Sequence, residues 1–259
     1  MEHVSGLAQM QTVATGPLGS VPIGAERAKW PQLKPYTPDW SALRDTRIVT
    51  GSRFEPANAA FDVLRTKVLR LLRENGWKSI AITSPTAGCG KSVIATNLAF
   101  SLARVVDRRI ALLDLDLRRP SLAEYLQILR PPSMEKFLGG TVTIEETFLS
   151  WNDSLAIGVN GSPVTDPTGL LQNPSTQEAI SKVQEELRPD VIVYDMPPLF
   201  DNGDVLAFAP NIDCVILIAG AGASKVSEIE ASERELARVT NVLGIVLNKC
   251  EYMPNRGAY

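Results

Sequence analysis

Apolar runs of strand length alternate with helical stretches over most of this 259-residue chain. Ser79 to Thr83, Ile110 to Leu113, Val191 to Tyr194, Cys214 to Ile218 and Val242 to Leu247 are apolar at nearly every position. Such runs predict strands buried on both faces. Ser154 to Val159 predicts one more. Phe61, Leu64, Val68 and Leu71 recur at helical spacing, with Arg65, Lys67, Arg70 and Arg73 on other faces, and Asn75-Gly76 predicts the stop. Ile94, Leu98, Leu102 and Val105 form a second helical face. Further helices are predicted over 121–129, 133–138, 175–187 and 225–239. The alternation predicts an α/β domain: a mostly parallel sheet covered by helices on both faces, with its site beyond the carboxyl ends of the strands.

This periodicity divides the chain. Residues 1–50 hold five prolines (Pro17, Pro22, Pro31, Pro35, Pro38) and no sustained repeat, which predicts a flexible N-terminal tail. Trp30, Tyr36 and Trp40 are large for a spacer; they suit an arm that docks on its own domain or on a partner. The domain is expected over 51–249, and 250–259 is a C-terminal tail with two tyrosines, Tyr252 and Tyr259.

Composition narrows the chemistry. Hydrophobic residues make up 44%, charged residues 21%, and the formal net charge is −3. This suits a globular protein and predicts no nucleic acid partner. One histidine, His3, leaves little room for imidazole catalysis. Cys89, Cys214 and Cys250 fit no zinc spacing and read as reduced thiols. No apolar run approaches the ~18 residues of a membrane span, and no basic start precedes an apolar core at the N-terminus. The expected setting is cytoplasmic.

The strongest motif follows the first long strand. Pro85 to Ser92 matches the phosphate-loop template G-x-x-x-x-G-K-[ST] at Gly90, Lys91 and Ser92, with Pro85 in place of the first glycine. Gly88 and Gly90 let the backbone wrap so that the N–H groups of Thr86, Ala87, Gly88, Cys89, Gly90, Lys91, Ser92 and Val93 can face phosphate oxygens. The helix that follows turns its positive end to the same charge. Lys91 can bridge the β- and γ-phosphates of ATP, and the Ser92 hydroxyl can ligate Mg²⁺. The fold class is thereby a P-loop NTPase.

Acidic residues end the neighbouring strands. Asp114 and Asp116, two apart on an extended segment, point to the same side. They can hold the metal's water shell and accept a proton from an attacking hydroxyl. Asp195 ends Val191 to Tyr194 and suits an outer Mg²⁺ carboxylate. Asp201 and Asp204 follow it, as helix caps or as contacts to metal or a neighbouring subunit. Cys89, at a helix N-terminus, reads either as an oxidant-sensitive thiol or as a tolerated small residue.

These motifs resemble the bacterial tyrosine kinases of capsule and exopolysaccharide export over about residues 55–250. Ser84 to Ser92 is similar to that family's Walker A, Ile110 to Pro120 to its Walker A′, and Val191 to Pro198 to its Walker B. Asp166 to Leu171 resembles the segment written N-P-x-x-L-L, and Asn248 matches the strand end near the adenine. The resemblance implies catalysis by Lys91, Asp114 and Asp116, nucleotide binding by residues 86–93 and Asn248, and metal binding by Ser92, Asp116 and Asp195. It implies autophosphorylation near the C-terminus, with Tyr252 and Tyr259 as candidate acceptors. It also implies a membrane-embedded polysaccharide co-polymerase as chain-length partner, peripheral attachment to the inner membrane through it, and assembly as a homo-oligomer. The chain departs from the family's Glu-x-x-Arg-x-x-Arg contact helix, with Ala59 and Asp62 before Arg65. A second reading is a ParA/MinD-like ATPase that switches partner binding. Those ATPases place a lysine early in the loop, and none occurs between Ser79 and Gly90.

Overall fold

The computed structural model describes residues 30–50 and 57–250. Along the chain the elements are β1 (Lys34–Pro35), α1 (Trp40–Asp45), α2 (Asn58–Asn75), β2 (Ser79–Thr83), α3 (Lys91–Ala103), β3 (Ile110–Asp114), α4 (Leu122–Tyr125), α5 (Met134–Leu138), α6 (Ile144–Thr147) and β4 (Phe148–Trp151). Then come β5 (Leu155–Gly158), α7 (Pro167–Gln172), α8 (Pro174–Lys182), β6 (Val191–Asp195), α9 (Asp204–Phe208), β7 (Cys214–Gly220), α10 (Val226–Leu236) and β8 (Asn241–Asn248). A wider π turn, Val183–Leu187, extends α8.

One sheet of order β1-β4-β5-β3-β6-β2-β7-β8 carries the fold. Every described neighbour pair is parallel except β4–β5. All residues of β2, β3, β6 and β7 are buried, as their unbroken apolar runs require. Alternate side chains feed two cores. One face packs on α2, α3 and α4 through Ile80, Ile82, Leu112, Val193 and Ile216. The other packs on α5 to α10 through Ala81, Leu113, Tyr194 and Leu217. β8 is an edge strand and half open, with Ile245 and Leu247 exposed.

Local chemistry sets the boundaries. α2 ends at Gly76, left-handed at φ 70°, whose N–H bonds Arg73 O while Trp77 N–H bonds Leu72 O. This is a Schellman ending. α3 is buried nearly all round because it lies between the sheet and α2. α7 starts at Asp166, whose carboxylate caps Gly169 N–H at 3.0 Å, with Pro167 in the first turn. A Cβ on Gly169 would collide with that carboxylate. β4 is absent from the sequence reading. It is four residues long and joins β5 through Asn152 and Asp153, both at φ 51°. Two left-handed residues make the tight turn that favours a hairpin over a crossover.

The sequence reading starts the domain at residue 51, whereas the structure packs residues 30–50 onto it. β1 pairs with β4, Trp30 Nε1 donates to Leu187 O at 2.8 Å, and Tyr36 OH donates to Leu126 O at 2.8 Å. Trp40, Phe100 and Trp151 meet edge to face, with centroids 5.0 to 5.7 Å apart. Asn97 on α3 then clamps the backbone: its Oδ1 accepts Val49 N–H and Thr50 N–H, and its Nδ2 donates to Arg47 O. Single aromatics anchor this segment between prolines, so it has no period to detect. Tyr252 and Tyr259 lie outside the described residues.

Trp40→Ala removes the ring that this segment contributes to the cluster. It is expected to destabilise the fold by about 3 kcal/mol, read as a lower denaturant midpoint. Loss well under about 1 kcal/mol would mean that the segment adds nothing to the core.

Candidate functional site

β2, β3 and β6 lie side by side, so Thr83, Asp114 and Asp195 end at one level. Asp114 pairs with Asp195 in register, and Ile82 with Asp195. The chain leaves β2 through Ser84 to Gly90 and enters α3 at Lys91. Gly88 (φ 81°) and Gly90 (φ 87°) take the left-handed conformations the loop needs. At Gly90 a Cβ would also collide with the Asn248 amide.

Short contacts hold this loop. Ser84 Oγ donates to Thr86 O at 2.8 Å, and Thr83 Oγ1 to Pro197 O at 2.6 Å. Leu199 N–H and Phe200 N–H bond Ser84 O and Pro85 O. Cys89 is buried; its Sγ donates to Thr86 O and lies 3.3 Å from Ser224 Oγ. Here the thiol is an internal strut. Asn248 Nδ2 donates to Cys89 O at 2.9 Å, so the residue that the resemblance sets near the adenine also props the loop.

The charges converge on Lys91. Its Nζ lies 2.7 Å from Asp116 Oδ2, 3.1 Å from Ser92 Oγ and 3.9 Å from Asp195 Oδ1. Burial pulls the ammonium toward neutrality, but the fields of Asp195, Asp116 and Asp114 outweigh it and hold the proton more tightly than usual. Burial and the adjacent Asp195 push the Asp114 carboxyl well above the usual range, against a hydrogen bond from Leu122 N–H. Burial raises Asp195 to about 6, opposed by Lys91 and Ser92.

Asp114 Oδ1 and both Asp195 carboxylate oxygens are buried without a well-formed hydrogen bond, and the Lys91 ammonium stands 3.9 Å from Asp195 Oδ1. Orphaned buried carboxylate oxygens are costly unless a cation or proton completes them. They fit Mg²⁺. Among the described residues no three acidic, thiol or imidazole groups form a direct cage. Ser92, Asp116 and Asp195 would hold such an ion, with the carboxylates acting through its waters.

A cavity of about 400 Å³ opens beside this cluster. Ala87, Gly88, Gly90, Lys91, Ser92, Val93 and Asp116 line it, and so do residues that the sequence reading missed: Asp45, Thr46, Arg47, Arg119, Ser121, Tyr125, Pro198 and Lys249. Of these, Arg119 and Pro198 fall inside the two acidic strand-end motifs and Lys249 follows a strand-end asparagine; the others had no signal. Larger hollows lie at the amino ends of the strands and beside Trp40 and Trp151, away from the loop and acids. Asp204 does not join the acidic cluster. It is buried, and its carboxylate accepts Arg118 Nε at 2.8 Å and the Thr168 hydroxyl, tying the segment after β3 to α7 and α9. Asp201 lies 3.8 Å from Arg119 at the rim. On α2, Asp62 pairs with Arg65 within the same helix at 2.7 Å.

A carboxyl raised to about 6 holds its proton more tightly in the folded chain. Its contribution favours folding at low pH and is lost as pH rises through that value. Asp195→Asn is expected to raise the unfolding free energy near neutral pH by about 1 kcal/mol without Mg²⁺, and to change little below about pH 4. Equal destabilisation at both pH values would show that Lys91 depends on Asp195 more than Asp195 suffers from burial.

The geometry has counterparts in known proteins. The family described as the CobQ/CobB/MinD/ParA nucleotide binding domain matches residues 80–255. The tyrosine-protein kinase CpsD of Streptococcus pneumoniae serotype 4 is 28% identical over 182 residues, covering 69% of this chain and 79% of CpsD. EpsB of Ralstonia solanacearum is 28% identical over 210 residues, covering 79% of this chain; the chain spans 27% of EpsB. The VpsO kinase domain superposes with a TM-score of 0.67 at 27% identity, over 75% of this chain and 95% of that domain. With loop, acids and sheet order in one arrangement, the chain is similar to bacterial tyrosine-kinase domains, and it belongs to the CobQ/CobB/MinD/ParA nucleotide-binding family.

Proposed function

We propose that this chain is an ATP- and Mg²⁺-dependent protein-tyrosine kinase that regulates exopolysaccharide or capsule polymerisation and export. The observation that carries the reading is the acidic cluster around Lys91. Asp116 stands at the cavity wall against Lys91, with Asp114 buried beside Asp195. A carboxylate at the cavity wall suits a hydroxyl acceptor, whose proton must be taken up as it attacks.

The loop N–H groups of 86–93 and the α3 N-terminus would cradle the phosphates. Lys91 would leave Asp116 for the β- and γ-phosphate oxygens. Ser92, Asp116 and Asp195 would hold Mg²⁺, which supplies charge neutralisation on the phosphates. The tyrosine oxygen would attack the γ-phosphorus as the bond to the β-phosphate oxygen breaks, and its proton would pass to Asp116 or Asp114. Asp116, at the cavity wall, is the carboxylate of the two that the cavity exposes to an incoming hydroxyl. Asn248 would stand near the base, and Tyr252 and Tyr259 are the candidate acceptors. A membrane-embedded chain-length co-polymerase would be the partner that brings the chain to the inner membrane from the cytoplasm, with homo-oligomers as the working assembly. No helix among the described residues is long and apolar enough to cross a membrane.

The ParA/MinD-like switch is the second reading. It is favoured by the Asp62–Arg65 pair within α2, where kinases use bases for subunit contact, and by a tail with two tyrosines.

With γ-labelled ATP and Mg²⁺, label is expected on Tyr252 or Tyr259. Lys91→Met is expected to lower labelling by about 100-fold or more, and Asp116→Asn to do the same while nucleotide still binds. Free phosphate without phosphotyrosine would establish the switch instead.

A further inference from the structure

The phosphate cavity has a wall that belongs to neither the loop nor the acidic strands. We infer that Arg47, carried by the segment before α2, is a phosphate ligand of the same cavity, and that Asn97 fixes it there. The inference rests on the nucleotide reading above.

α1 ends in a Schellman motif: Arg47 N–H bonds Arg44 O, and Ile48 N–H bonds Leu43 O, both at 2.9 Å. Leu43 and Ile48 are buried in the same core, the apolar contact that accompanies this ending. The motif puts Arg47 at φ 64°. α2 ends with the same two bonds and uses Gly76 in the equivalent place, the residue that takes this conformation at least cost. A side chain there is not itself a signal, since Gln127 and Arg188 are also left-handed. What sets Arg47 apart is where the turn puts it. With Asp45 and Thr46 it lines the cavity that Lys91, Ser92 and Asp116 also line.

The turn is fixed to the phosphate helix. Asn97 Nδ2 donates to Arg47 O at 2.9 Å, and its Oδ1 accepts Val49 N–H at 2.8 Å and Thr50 N–H at 3.1 Å. Thr46 Oγ1 donates to Tyr125 O at 2.8 Å, joining the turn to α4 at the cavity wall. The Arg47 side chain is exposed and makes no ion pair with a described acid. Arg119 and Lys249 also line the cavity, and Lys249 is left-handed too, at φ 61°. Three cations therefore stand around Lys91 with only Asp45 and Asp116 as lining acids, a balance that suits a polyanion of phosphates.

The test separates charge from conformation. Arg47→Gly removes the cation but keeps, or eases, the left-handed turn. Binding of a fluorescent ATP analogue with Mg²⁺, and competition by inorganic triphosphate, are measured on the full chain. Arg47→Gly is expected to weaken both by about 10-fold with an unchanged or higher melting temperature. Arg47→Lys is expected to recover part of the loss, and the salt dependence of binding to become shallower in Arg47→Gly. If the parent binds, Lys91→Met does not, and Arg47→Gly binds like the parent, Arg47 is only a turn residue and this inference falls alone. A loss for the analogue but not for triphosphate also overturns it, because the contact would then be to the nucleoside. A parent chain that binds no nucleotide overturns both readings.

Discussion

Three aspartates can crowd the carboxyl ends of two adjacent strands only because Lys91 stands among them. Asp114 and Asp195 are neighbours in register and fully buried, and Asp116 follows two residues on. Alone, such a group would repel itself and stay protonated. The ammonium 2.7 Å from Asp116 and 3.9 Å from Asp195 offsets part of that cost. The rest is left as raised carboxyl groups and orphaned oxygens. The folded chain thus carries unspent attraction for positive charge at the place where a phosphate loop opens. The lysine is shared between two duties, as counter-ion to the acids and as ligand of an anion.

The surrounding architecture serves that point. The four buried strands fix the heights of the acids, α3 fixes the lysine, and the Asn248 amide fixes the loop carbonyl next to Gly90. Arg118 extends the same order outward. Its bonds to Asp204 and Thr168 join the acidic segment to α7 and α9 on the far face of the sheet. A buried carboxylate held by one arginine is costly to break, which makes the link specific without making it a large source of stability.

Most of the central sheet was legible because its signals are local. Unbroken apolar runs announce strands buried on both faces, and Gly88, Gly90, Lys91 and Ser92 form one continuous motif. Asp114 and Asp195 could be placed together because both end such runs. What stayed hidden depends on pairings far apart in the chain. β4 is four residues long and shares its pattern with many loops. Asp204 gives no hint that Arg118, 86 residues earlier, will reach it. The segment around Trp40 has no period, since its anchors are single rings and one asparagine. Thr46, Arg47 and Tyr125 therefore enter the cavity without any warning in their own neighbourhood.

The pairing of β1 with β4 has a consequence for how the molecule is made. Trp30 meets a carbonyl 157 residues downstream, and Lys34 aligns with Leu149. Synthesis proceeds from the amino end, so this segment is made before its sheet partner β4, and β2 and β3 emerge in between. Contacts of such sequence separation form late. A segment made early thus waits for partners made after it, and the wall of the cavity that it supplies is completed only when they are in place.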